Sequence, residues 1–221
     1  MKKLNISLYI NILITILTII SMIIMFTGYK FMDEPELILE SSHIGMFKFF
    51  TVDSNLLMGI TSFIYAYYLL HHKNINYKLS LLKLLSTTAV SLTFIVVFVY
   101  LGPISPYGIK ALLLNSNLFF HLIIPVLSII SFIFFEEHKL KIKDALYGII
   151  PTLIYSIYYL LNVLFHMEKG VVDPKYDWYW FAQNGTLGII IVIVVIYLFS
   201  YILSLILYLF NKKNTQKCVN N

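Results

Sequence analysis

Hydrophobic and polar positions along this chain separate on the scale of whole helices. Apolar runs cover about 4–28, 47–70, 79–101, 111–135, 144–166 and 181–210, with polar segments between them. Each run reaches the roughly 20 residues that a helix needs to cross a hydrocarbon core about 30 Å thick. The runs lack the two-residue alternation of barrel strands, and lipid leaves no partner for an unpaired backbone group, so the pattern predicts helices. The expected fold class is all-α, a polytopic membrane bundle of six transmembrane helices with both termini cytoplasmic. Residues 1–210 are expected to form one domain, and 211–221 a polar cytoplasmic tail. The first run has no small-residue cleavage pattern and is expected to stay in the protein. Pro103 and Pro106 in "LGPISPYG" mark a turn, whereas Pro125 and Pro151 fall inside runs and predict kinks.

Composition agrees with this pattern. With 59% hydrophobic and 12% charged residues, too little polar surface exists to cover a soluble domain of 221 residues. The sixteen basic residues are all lysine, and their distribution orients the bundle. Lys2, Lys3, Lys73, Lys78, Lys83, Lys139, Lys141, Lys143, Lys212, Lys213 and Lys217 fall on one side, eleven against the five on the other, Lys30, Lys48, Lys110, Lys169 and Lys175. The positive-inside rule makes the first side cytoplasmic. The outer loops collect acids instead: Asp33, Glu34, Glu36, Glu40, Glu168, Asp173 and Asp177. The net charge of +5 therefore speaks to topology in a cell membrane, not to a nucleic-acid partner. A single cysteine, Cys218, excludes an intrachain disulfide and a cysteine metal site.

Polar residues inside apolar runs then carry the candidate chemistry. His43, His71, His72, His138 and His166 fall in or beside loops, where a solvated or interfacial imidazole is expected. His121 lies about ten residues into the fourth run, about 15 Å from its outer end, and an ionisable group at such depth points to function. Asn117, one turn earlier, shares its face. In the second run Thr51 and Asn55 form a stripe with Ser54 beside it, while Asp53 points nearly the opposite way. Tyr155, Tyr158, Tyr159 and Asn162 in the fifth run, with Gln183 and Asn184 in the sixth, approach the same leaflet. The inner halves read as Leu, Ile, Val and Phe with scattered hydroxyls such as Ser128 and Ser131, so a pocket open to the outer side is expected. Taken singly, Ser, Thr and Asn commonly join membrane helices through hydrogen bonds worth about 1 kcal/mol, and tyrosines near helix ends are commonly interfacial anchors.

A histidine beside a hydroxyl is the minimum for nucleophilic acyl transfer, with the imidazole taking the hydroxyl proton as the alkoxide attacks a carbonyl. Thr51 is the candidate nucleophile and His121 the base, with Asn55, Asn117 or Asn162 as oxyanion donors and Ser54 and Tyr158 as substrate contacts. "KFFTVDSN" opening the second run and "NLFFH" in the fourth resemble the two motif regions of the androgen-induced gene 1 family. Vertebrate members of that family are multispan threonine hydrolases of fatty acid esters of hydroxy fatty acids. The resemblance implies the nucleophile role for Thr51 and the catalytic histidine role for His121. It extends to span count and motif spacing, and loosely to an aromatic segment, "YDWYWFAQN", before the last run. The chain departs from the family at Ser116–Asn117, which lacks a second histidine, and Asp53–Ser54 after the threonine look like its bacterial relatives. The function expected is hydrolysis of a lipid-like ester without metal or organic cofactor, with membrane lipids as the surrounding partners and the oligomeric state left open. An acyltransferase differs only in the acceptor. A lipid-binding or transport protein using the same pocket is the alternative, and a haem site needs a second ligand that the other histidines are poorly placed to give.

Overall fold

The computed structural model describes residues 2–33, 41–105, 107–168 and 170–219. Glu34, Glu36, Glu40, Pro106 and Lys169 lie outside the described residues, as do the side chains of Lys2, Gln183, Asn184, Lys217 and Cys218. The main helices are α1 (Lys2–Thr27), α2 (Phe50–Leu70), α3 (Tyr77–Leu101), α4 (Ser116–Phe135), α5 (Ile142–Phe165) and α6 (Gly185–Val219). A 3-10 turn, His43–Lys48, leads into α2, and a two-residue hairpin pairs Met167–Glu168 with Val171–Val172 between α5 and α6. Asn76 caps α3, its side-chain oxygen accepting from the Leu79 N–H at 2.9 Å.

Five of these helices, α1, α3, α4, α5 and α6, are long and apolar enough to cross a membrane. The remaining expected span, α2, is a helix of 21 residues, about 30 Å at ~1.5 Å per residue. Its Thr51, Asp53, Ser54, Asn55, Thr61 and Ser62 hold its apolar content below that of the other five. The bundle is apolar on the outside and polar within. Leu187, Ile190, Ile191, Val194, Val195 and Leu198 of α6 are exposed, whereas Ser80, Lys83, Ser86, Thr87, Thr88, Ser91 and Thr93 of α3 are buried. Such an arrangement suits a lipid solvent. Helix α3 touches α2, α4, α5 and α6, and several of its inward hydroxyls bond to carbonyls one turn back, as Thr88 does to Leu84 at 2.8 Å and Ser91 to Thr87 at 2.7 Å.

Two glycines set close crossings. A Cβ on Gly59 would lie 2.6 Å from the Thr18 methyl of α1, and one on Gly148 would lie 2.4 Å from Ser204 of α6. Gly148→Ala is expected to lower stability by about 1–3 kcal/mol through overpacking. Adding Ser204→Gly should restore much of the loss, as read from thermal unfolding in detergent; an unchanged midpoint in the single variant would refute the crossing.

Three sequence expectations change. The run 111–135 does not form one helix, because Asn115 takes a positive φ of 51° and breaks the chain between the short turn Gly108–Ala111 and α4. Pro151 does not kink a helix interior; it sits in the first turn where the 3-10 segment Ile142–Ile149 becomes α-helical, a position needing no N–H. Residues 211–219 continue α6 instead of leaving the bundle as a tail, and Asn211 is buried.

Candidate functional site

His121 occupies the middle of a π-helical turn, Phe119–Ile123, on α4. Pro125 explains the widened turn, since it lacks the N–H that would bond the His121 carbonyl and its ring crowds that carbonyl. Because α4 starts at Ser116, His121 is only about 8 Å along the helix, at ~1.5 Å per residue, and not the 15 Å expected of a helix from 111. The chain before Asn115 folds back over it, and the Leu112 carbonyl lies 2.6 Å from His121 Nδ1. A carbonyl only accepts, so Nδ1 carries the hydrogen, and in the neutral ring Nε2 is left with the lone pair. Asn115 fixes this loop, its Oδ1 accepting from the Phe31 and Met32 N–H groups at 2.8 Å each and its Nδ2 donating to the Met32 carbonyl at 3.0 Å.

Helix α2 meets the π-helical turn directly, with no helix between them. Asn55, fully buried, donates from Nδ2 to the Phe120 carbonyl at 3.1 Å and to the Thr51 carbonyl at 2.8 Å. Both amide hydrogens are therefore used, and the buried Oδ1 has no partner among the described residues. Asn55 can accept here but not donate to an oxyanion, which corrects its expected role. Thr51 is half-buried in the first turn of α2; among the described residues its hydroxyl makes no hydrogen bond to His121. Ser54 turns instead to α3, where its hydroxyl lies 3.2 Å from that of Thr93 and 3.0 Å from the Thr51 carbonyl. Asn117 is half-buried near the start of α4, and no described hydrogen bond engages its amide.

The segment before α6 closes over the start of α2. Tyr155 donates to the Lys48 carbonyl at 2.5 Å and accepts from Trp178 Nε1 at 3.0 Å, while Tyr179 accepts the Phe50 N–H at 3.0 Å. Asp177, itself buried, accepts from the Tyr159 hydroxyl and from the Phe181 and Ala182 N–H groups. Burial pushes the Tyr179 phenol up to about 12, and the Asp53 carboxylate nearby acts in the same direction. Asn162 donates to the Tyr176 carbonyl at 2.6 Å, so it ties the cover down, and the 48% exposed Tyr158 flanks Trp178 and Tyr155 from outside. Ser54, Asn162 and Tyr158 therefore make packing and anchoring contacts, and among the described residues none of the three bonds to His121.

A second polar centre lies at the lysine-rich end, where the pattern predicted only Leu, Ile, Val and Phe with scattered hydroxyls. Lys83, counted with the cytoplasmic lysines although it lies inside the third apolar run, is fully buried. Its ammonium donates to Asn11 Oδ1 at 2.5 Å and to the Ser62 hydroxyl at 3.0 Å, and it lies 3.5 Å from Glu136 Oε1. Glu136 Oε1 also accepts from Ser131 at 2.7 Å and Asn11 Nδ2 at 2.9 Å, and Oε2 lies 3.0 Å from His138 Nε2. Burial opposes the carboxylate, yet Lys83, His138 and Asn11 together hold Glu136 well below the usual carboxylate range. His138, expected in solvent, has no exposed side-chain surface and stacks on Phe132, 4.5 Å between centroids. Long side chains at helix ends usually reach outward to water, so a lysine at this position reads as a loop charge. Here a carboxylate within the bundle reverses its direction.

Both centres use the same device on α4. A second π-helical turn, Ser131–Phe135, precedes Glu136, and Asn211 of α6 donates to the carbonyls of Phe132 at 2.6 Å and Glu136 at 2.8 Å. Asn55 does this for the turn at His121. Widened turns free carbonyls that an asparagine from a neighbouring helix then satisfies.

No protein-family model, curated protein or solved structure matches the chain. Among the described residues, no cluster of His, Cys, Asp and Glu is placed to hold a metal ion.

Proposed function

We propose that the chain is a multi-pass cell-membrane hydrolase of lipid-like esters, with Thr51 as nucleophile and His121 as base. In this reading α2 completes a set of six spans, and both termini share the lysine-rich cytoplasmic side. One observation carries the proposal: Leu112 fixes His121 as the Nδ1–H tautomer, which leaves Nε2 basic on a turn that Asn55 ties to the Thr51 end of α2. Likeness to the androgen-induced gene 1 motifs at "KFFTVDSN" and "NLFFH" supports the same pair.

The chemistry follows from the acid–base inventory. Thr51 Oγ1 gives its proton to His121 Nε2 as it attacks the ester carbonyl, and the imidazolium returns that proton to the leaving alcohol. Water then loses a proton to Nε2 and cleaves the acyl-threonine. Catalytic hydrogen bonds often tighten only when substrate binds, so the unbonded Thr51 hydroxyl is compatible with this step. Both amide hydrogens of Asn55 are used and Asn162 is tied to the Tyr176 carbonyl, so Asn117, one turn before His121 on α4, is the amide assigned to donate to the oxyanion. The aromatic cover would keep water scarce around the ester, and no metal or organic cofactor enters.

Labelling by a fluorophosphonate probe tests the proposal. Wild-type membranes should label, and Thr51→Ala and His121→Ala should each abolish labelling at unchanged expression; undiminished labelling in both would sink it. Because Thr51 and His121 are not hydrogen-bonded, a passive lipid-binding or transport site is the second reading, and it predicts ligand retained without turnover. An acyltransferase would label alike and separate only by its acceptor.

A further inference from the structure

A cavity of about 350 Å³ opens at the lysine-rich end, between the segment joining α4 to α5 and the last turns of α6. Its volume lies at the lower end of the range for small-molecule sites. Lys141 and Lys212 line it from opposite elements, both exposed, and no Asp or Glu is part of the lining. Among the described residues neither lysine forms an ion pair; Lys212 lies over the Tyr208 ring at 5.8 Å. Two acids lie close by without lining the cavity: Glu136, matched by Lys83 and three hydrogen-bond donors, and the buried Asp144, whose oxygens accept from the Lys141 N–H at 2.7 Å and the Tyr77 hydroxyl at 3.0 Å.

His138 supplies an independent sign of a ligand. His138 is one of the lining residues, and its side chain is fully buried. Nε2 faces the Glu136 carboxylate, which only accepts, and Nδ1 is buried with no partner among the described residues. Buried nitrogen atoms of this kind are rarely left unpaired in native proteins. Leu140, Ile142 and Tyr208 give the wall an apolar side, Asn211 and Thr215 add polar groups from α6, and the exposed Ile142 and Leu146 continue the apolar surface along α5.

We infer that this cavity binds the phosphate of an anionic phospholipid headgroup, held between Lys141 and Lys212 beside His138, with the acyl chains running along α5. Basic pockets between helix ends are the usual form of such recognition. The shared chemistry is a phosphate ester, and the apolar wall favours the lipid as its source over a soluble phosphate. The inference does not depend on hydrolase activity at Thr51.

Native mass spectrometry of the full chain in detergent tests it, with phosphatidylglycerol, phosphatidylcholine and glycerol 3-phosphate as probes. Phosphatidylglycerol should be retained by the wild type and bound about tenfold or more weakly by the Lys141→Gln, Lys212→Gln double variant. Each single variant should lose part of the affinity, so the test survives if the double variant fails to fold. Lys213→Gln, which changes the same charge outside the cavity, should bind as the wild type does, and phosphatidylcholine should not be retained. Equal binding by wild type and double variant, or an equal loss in Lys213→Gln, would overturn the site. Glycerol 3-phosphate binding as tightly as the lipid would overturn the lipid as its source.

Discussion

Glu136→Ala is expected to lower the unfolding free energy by about 3–5 kcal/mol, because it strands the Lys83 ammonium, which has no other ion-pair partner among the described residues. Asn11 and Ser62 offer oxygen atoms but no charge, and water does not reach a fully buried Nζ. Lys83→Met paired with Glu136→Leu should recover most of the loss, since it removes both desolvation penalties together. Unfolding of the purified chain in detergent, followed by near-ultraviolet circular dichroism, would measure both. A single variant within about 1 kcal/mol of wild type would show the pair to be energetically idle. The same network predicts a pH effect of definite sign. The folded carboxyl is held below its ordinary value of 4.5, so the stabilisation is complete above about pH 4.5 and declines as pH falls towards the folded value. Glu136→Gln should flatten that acid limb.

The five long apolar helices were legible in the sequence because each rests on a local signal, run length, whereas the spacing of four in Thr51–Asn55 and Asn117–His121 says only which residues share a face. Lys83 and His138 were not legible, because both lie within about two turns of a helix end, where hydropathy cannot distinguish a side chain reaching out from one turned in. Depth-matching across helices would have found the network. Asn11, Ser62, Lys83, Ser131 and Asn211 each put a polar group near the lysine-rich end of a different helix, and only a shared centre satisfies them all. Helix spacing also mis-set the partners of Ser54 and Asn162. Spacing says which residues share a face, but not which helix or loop that face meets. Ser54 met Thr93 of α3, and Asn162 met the backbone of the aromatic cover. The break at Asn115 was hidden for a related reason: Leu112–Leu114 are as apolar as the helix that follows, so the run continued through a loop.

That loop carries the second large expected effect. His121→Ala should reduce turnover of a long-chain ester by about 10²–10⁴-fold, the range for a lost general base, while binding of the same ester falls by much less. A passive site predicts the reverse, a loss of affinity with no turnover in the wild type to lose. Asn115→Ala separates positioning from packing. Asn115 holds the loop whose Leu112 carbonyl fixes the Nδ1–H tautomer. Loosening it should lower kcat by about tenfold, a loss of ~1.4 kcal/mol in the transition state, with KM little changed. If Asn115 matters only for folding, the fraction of active protein falls, but the pH profile and the KM of the survivors stay fixed. If it holds the tautomer, Nε2 and Nδ1 compete for the hydrogen, and the acidic limb of the kcat profile, where the base deprotonates, moves. Kinetics of Asn115→Ala across pH, normalised to probe-labelled sites, would therefore decide whether the Leu112 carbonyl positions a base or merely caps a buried ring.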